Sequence, residues 1–179
     1  CCSAIHNGFL LYRFYYIQIF EKKEAPTKNL WYASQKEMNK LHKITWTHKV
    51  QYYETDQMKV VHHSNYIRWF EEARVELMEK IGCPYDKMEE KGIISPVLEV
   101  TCQYKQMVRF GDTVEILAWI SSFNGIRFSL SYEVYNQKDG SLCTAGTSKH
   151  CFINAQGKLI SLKREDPALY ESLKKLCEE

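Results

Sequence analysis

Residues 52–71 read Tyr52-Tyr53-Glu54-Thr55-Asp56-Gln57-Met58-Lys59-Val60-Val61-His62-His63-Ser64-Asn65-Tyr66-Ile67-Arg68-Trp69-Phe70-Glu71. An aspartate follows a strand-like run, a histidine comes seven positions later, and a Ser-Asn pair opens an amphipathic segment. The spacing predicts a helix over 65–81. Tyr66, Trp69, Phe70, Ala73, Leu77 and Ile81 share one face, while Arg68, Glu71, Glu72, Glu76, Glu79 and Lys80 supply a polar side. Ser64 or Asn65 can cap its start, Gly82 suits the left-handed position past its end, and Pro84 follows. Such a helix is roughly 25 Å long at 1.5 Å per residue. The layout can set a carboxylate beside a helix N-terminus, whose free N–H groups favour developing negative charge.

Working outward, the period changes from 3.6 to two. Residues 44–53 alternate as a first strand: Ile44, Trp46, His48, Val50 and Tyr52 against Thr45, Thr47, Lys49 and Gln51. A short helical turn is expected around Tyr85–Lys91. Beyond Gly92, alternation returns in Leu98–Tyr104, Val114–Ile120, Ile126–Val134 and roughly Ser141–Ile153, and a helix closes the chain near Pro167–Cys177. The joints are Arg109-Phe110-Gly111-Asp112, Asn124-Gly125 and Asp139-Gly140; the last two are strong hairpin signals. The expected sheet is an antiparallel meander. One long helix with an apolar face must bury that face on the sheet. The fold class is therefore α+β, a hotdog arrangement with a long central helix wrapped by a five-stranded antiparallel sheet.

The chain has 179 residues, 45% of them hydrophobic, with 12 Gly plus Pro, which suits one packed domain at 38–179. Residues 1–37 read differently. Phe9–Phe20 is apolar and aromatic without clean periodicity, and lacks the preceding basic segment and small-residue cleavage site of a signal peptide. It reads as a leader or non-native extension, weakly packed or disordered, with Met38 as a plausible start. This segment holds five Lys/Arg and three acids, so residues 38–179 keep 19 of each and are neutral. Neutrality argues against a nucleic-acid binder, and no apolar run approaches the roughly 20 residues of a membrane span. The seven cysteines are scattered and form no metal-ribbon or redox motif, which points to a reducing, cytoplasmic setting.

Within this frame the residues resemble a known family. Tyr53-x-Thr55-Asp56-x-x-x-Val60-Val61-x-His63-x-Asn65-Tyr66, followed by Trp69-Phe70-Glu71-x-Ala73-Arg74, is similar to the 4-hydroxybenzoyl-CoA thioesterase family of hotdog proteins, in its YbgC-like acyl-CoA thioesterase branch. Arg109-Phe110-Gly111-Asp112-Thr113-Val114 matches the family's turn between two strands, and the likeness spans nearly all of 42–176. The resemblance implies hydrolysis of acyl-CoA thioesters without metal or bound cofactor, coenzyme A being part of the substrate. It implies Asp56 as catalytic carboxylate, by activating water or attacking the thioester. It implies His63 as the second catalytic residue: the backbone N–H near it, at the helix start, would be the oxyanion donor, and its side chain would orient water, hold the acyl group or steady the loop. Val61, His62, Asn65, Tyr66, Glu71 and Arg109 would contact substrate. The family's site lies at a subunit interface, so a homodimer, often paired into a homotetramer, follows. One departure stands out: relatives commonly carry Gly where this chain has Lys59.

Blander readings apply to single residues. Asp56 alone is a turn aspartate. His62-His63 makes a poor metal pair, since adjacent side chains point apart. Ser64 is a cap, not a nucleophile, because no G-x-S-x-G elbow surrounds it. Arg74 pairs with a helix acid such as Glu71. Trp69, Phe70, Tyr66 and Met78 read as core or acyl-pocket lining. Lys105, Lys149 and Arg109 are candidate partners for CoA phosphates. Two rivals to acyl-CoA hydrolysis remain, a thioesterase acting on acyl carrier protein and a non-catalytic acyl-CoA binding module.

Overall fold

The computed structural model of the chain describes residues 43–177. The expectation for residues 1–37 lies outside them. Strand β1 spans Ile44–Lys49, a single 3₁₀ turn Tyr52–Glu54, helix α1 Ser64–Lys80 and helix α2 Tyr85–Glu90. Strands β2 (Val97–Tyr104), β3 (Thr113–Phe123), β4 (Arg127–Asn136) and β5 (Leu142–Cys151) follow, then helices α3 (Leu162–Glu165) and α4 (Pro167–Lys175). The first strand ends four residues earlier than its alternation suggested. Val50 N–H still bonds the Asp112 carbonyl opposite it, one step beyond the Lys49↔Thr113 pair, and the chain then winds into the 3₁₀ turn.

All five strands form one antiparallel sheet in the order β1-β3-β4-β5-β2. Only β3, β4 and β5 make a meander, joined at Asn124-Gly125 and Asp139-Gly140. Both glycines there have positive φ, as tight turns require. The expected pairing of β2 with β3 is corrected: β2 lies on the far edge against β5, in register from Val100↔Ser148 to Tyr104↔Thr144. The Arg109–Asp112 joint is therefore a crossover and not a hairpin. Val108 C=O accepts the Val61 N–H at 2.8 Å, and Gly111 N–H reaches Val50 C=O at 3.3 Å. The crossover thus runs beside the acidic loop.

Helix α1 lies on the sheet, touching β1, β2 and β3. Tyr66, Trp69, Phe70, Ala73, Leu77 and Met78 are buried, meeting Val114, Ile116, Ala118, Leu130, Tyr132 and Val134 in one core. The aromatic and methionine residues of this face are core, as helical spacing suggested. Phe70 stacks on Tyr132 with centroids 4.4 Å apart. The helix ends in a Schellman motif: Cys83 N–H bonds Met78 C=O, and Gly82 N–H bonds Glu79 C=O with Gly82 at φ 75. Cys83, Cys143 and Cys151 are buried and free, behaving as small apolar residues. No helix among the described residues is long and apolar enough to cross a membrane.

Candidate active site

The loop between β1 and α1 doubles back on itself. Thr55 and Val61 form an antiparallel bridge. Asp56 N–H donates to Val60 C=O, and Lys59 N–H to Asp56 C=O, each at 2.9 Å. This is a turn followed by a bulge, a hairpin loop whose last residue is left-handed. That residue is Lys59, at φ 62, alone in having positive φ among the described non-glycine residues. Asp56 completes the turn, its Oδ1 accepting the Met58 N–H at 2.8 Å. Its other oxygen carries no hydrogen bond among the described residues.

The returning arm runs into α1. His63 has helical angles (φ −53, ψ −30), and no side chain caps the helix at this point. The expected capping by Ser64 or Asn65 does not occur. Ser64 is the first helical residue, with its Oγ 2.8 Å from His62 Nδ1. Asn65 is buried and reaches back, its Nδ2 donating to Glu54 C=O at 2.8 Å. The His63 N–H has no acceptor among the described residues, and the His63 C=O accepts the Tyr104 hydroxyl at 3.1 Å. The Ser64 N–H donates to His62 Nδ1 at 3.4 Å and the Asn65 N–H to His62 C=O at 3.0 Å, while the His63 N–H beside them stays available to negative charge.

The other anticipated residues divide. Val61 is buried on the return arm. His62 is exposed, its ring tilted against that of His63 with centroids 4.1 Å apart. Tyr66 is buried between Trp69 (4.8 Å) and Tyr104 (5.2 Å), and burial pushes its phenol pKa up. Arg109 stands over the loop, donating to Lys59 C=O at 3.3 Å. Glu71 lies farther along the helix, about 12 Å from His63 at 1.5 Å per residue, and is exposed. Lys149 pairs with Glu99 at 2.9 Å. Arg74 makes its expected pair with Glu71, at 3.9 Å, and is also buried with Nη1 2.9 Å from His150 Nδ1. No group of three or more His, Cys, Asp or Glu gathers as a metal site among the described residues.

Sequence reasoning missed Glu54. Its carboxylate is buried and accepts from Gln51 N–H (2.7 Å) and Trp69 Nε1–H (2.8 Å), and its Oε1 and Oε2 lie 3.0 and 2.8 Å from His48 Nε2. Burial alone would raise its pKa, but the Gln51, His48 and Trp69 hydrogen bonds outweigh that and hold it below the usual carboxylate value. The one local signal was a Glu three residues after Gln51, the capping-box spacing.

Residues 50–174 match the family described as the thioesterase-like superfamily. The chain belongs to that superfamily. By family it is a thioester hydrolase. Within this superfamily the chain is 36% identical over 131 residues to YneP of Bacillus subtilis, named as a candidate acyl-CoA thioesterase; the match covers 71% of this chain and 94% of that protein. It is 26% identical over 94 residues to the acyl-CoA thioester hydrolase YbgC of Escherichia coli, covering 52% of this chain and 70% of that one. The fold aligns with a DHNA-CoA thioesterase structure from Staphylococcus aureus at a TM-score of 0.72 and 34% identity, over 75% of this chain and 90% of that one. The α+β architecture is thus a hotdog fold of the 4-hydroxybenzoyl-CoA thioesterase type.

Proposed function

We propose that the protein hydrolyses an acyl-CoA thioester to the free acid and CoA, with Asp56 as the reacting carboxylate and the His63 N–H as oxyanion donor. One observation carries this reading. A carboxylate with a free oxygen and a helix N-terminal N–H with no acceptor sit on the two arms of one hairpin. As a base, Asp56 takes a proton from water while the water oxygen adds to the thioester carbon. The carbonyl oxygen gains the negative charge, where an N–H donor stabilises it by roughly 3–4 kcal/mol in other enzymes. Collapse breaks the C–S bond, and the departing thiolate takes up the proton. As a nucleophile, Asp56 would form an acyl anhydride that water then cleaves. Either route uses only side chains, main chain and water. Arg109, beside the loop, suits the CoA phosphates.

We also propose that the working form is a homodimer, assembled into a homotetramer where dimers pair. Supporting this, β2 is an outer strand whose Val97, Leu98 and Tyr104 are exposed.

One experiment tests both. Asp56→Ala should abolish thiol release from a panel of acyl-CoAs while co-eluting with the wild type at dimer mass. Turnover retained on every substrate would remove Asp56 from the mechanism. A monomeric wild type would remove the dimer, and binding of CoA esters without release of thiol would favour an acyl-CoA binding module. Faster turnover of acyl-carrier-protein thioesters would change the substrate class.

A further inference from the structure

Glu54 takes no part in the reaction as written, yet more of the site hangs on it than on any other described residue. Its carboxylate ties the end of β1, through His48, to the 3₁₀ turn, through Gln51, and to the second turn of α1, through Trp69. Its carbonyl takes the His62 N–H and the Asn65 side chain, both at 2.8 Å. One residue therefore bonds both arms of the loop and the helix that the loop enters. Asp56 is two positions after it, and His63 is one position after the amide it receives. The surroundings are rigid: His48 is stacked on Trp46 (5.2 Å) and packed against Trp69 (5.0 Å).

Resting on the reading of Asp56 and His63 above, we propose that Glu54 is the positioning residue that sets the Asp56 carboxylate relative to the His63 N–H. The chemistry requires a carboxylate there. The Gln51 N–H and Trp69 Nε1–H can only donate, and they converge on the two oxygens with a ring nitrogen between them. A glutamine offers one acceptor oxygen and turns an NH₂ group toward the remaining donors. In a buried site that mismatch is relieved by moving the loop. A reacting pair displaced by about 1 Å loses on the order of a hundredfold in rate, while substrate binding by distant contacts persists.

The test compares Glu54→Gln with wild type, and with Trp69→Phe, which removes one donor and keeps the carboxylate. Glu54→Gln should lower kcat by about 10- to 100-fold with KM within about threefold, at a temperature where the variant is fully folded. Trp69→Phe should lower the melting temperature with a smaller loss in kcat. An independent readout is hydrogen exchange at the Met58, Lys59 and His62 amides. Their protection should fall by about tenfold or more in Glu54→Gln, with the β3–β4 amides unchanged. Unchanged kcat, or loop amides as protected as in wild type, would overturn the proposal. If the wild type releases no thiol from any acyl-CoA, the functional reading fails, and the exchange data alone decide for or against Glu54 as the loop's anchor.

Discussion

At the residue scale, Lys59 is alone among the described non-glycine residues in holding a left-handed backbone. The hairpin closing on Asp56 needs a left-handed residue in its last position, and a Cβ there costs roughly 1–2 kcal/mol. Arg109 steadies it by donating to the Lys59 carbonyl. Glycine would relieve the strain but add roughly 0.5–1 kcal/mol of unfolded-state entropy. The difference favours glycine: Lys59→Gly should raise stability by about 0.5–1 kcal/mol and the melting temperature by roughly 1–4 °C. Thermal unfolding checks this, and a lower melting temperature would mean that the Lys59 side chain contributes more than its backbone costs. The position was legible in the sequence, since the family resemblance marked it as a usual glycine. Glu54 was not legible, because a buried acceptor is defined by donors that come from β1 and α1.

At the scale of elements, α1 sits as close to the sheet as it does because β5 carries a glycine beneath it. A Cβ built on Gly146 would lie 2.4 Å from Phe70 Cε2 and 2.5 Å from the Thr101 carbonyl oxygen. One neighbour is an aromatic ring stacked on Tyr132, and the other is the backbone of β2, so neither yields easily. Gly146→Ala should destabilise the protein by about 1–3 kcal/mol, the usual cost of overpacking. In denaturant unfolding this appears as a lower midpoint at unchanged slope. An unaltered midpoint would show that α1 and β2 can part without cost. The periodicity of α1 predicted its buried face almost residue by residue. It said nothing of Gly146, which has an ordinary strand conformation and matters only through Phe70.

At the scale of the whole molecule, acid stability should depend on a polar chain inside the core. Arg74 Nη1 contacts His150, whose Nε2 is 2.7 Å from Ser148 Oγ, which is 2.8 Å from the Tyr132 hydroxyl. Burial first, and the Arg74 charge second, push the His150 pKa down from 6.5 to about 4. Between those values the unfolded chain binds a proton that the folded protein refuses, so stability falls as pH drops from 6.5 towards 4. The loss is on the order of 3 kcal/mol. Glu54, with a pKa held below its usual value, adds a further loss at lower pH as it becomes protonated. His150→Gln, which keeps a polar partner for Arg74 and Ser148 but does not titrate, should flatten the upper part of this profile. Melting temperatures of both proteins across that pH range test it, and parallel profiles would exclude His150 as the source.

The amino-acid sequence by itself determined the period of each element, the two glycine hairpins, the apolar face of α1 and the position of the Asp56 loop against the helix. These follow from local steric and burial rules that act over a few residues. Only the tertiary structure decided that β2 crosses to the far edge beside β5, because pairing between strands of similar alternation is chosen by the whole sheet. It alone decided that Arg74, besides pairing with Glu71, reaches His150 in the core. It alone kept Asn65 from capping the helix start, because that side chain is drawn back to the Glu54 carbonyl, a partner eleven residues away that is near only once the loop has closed.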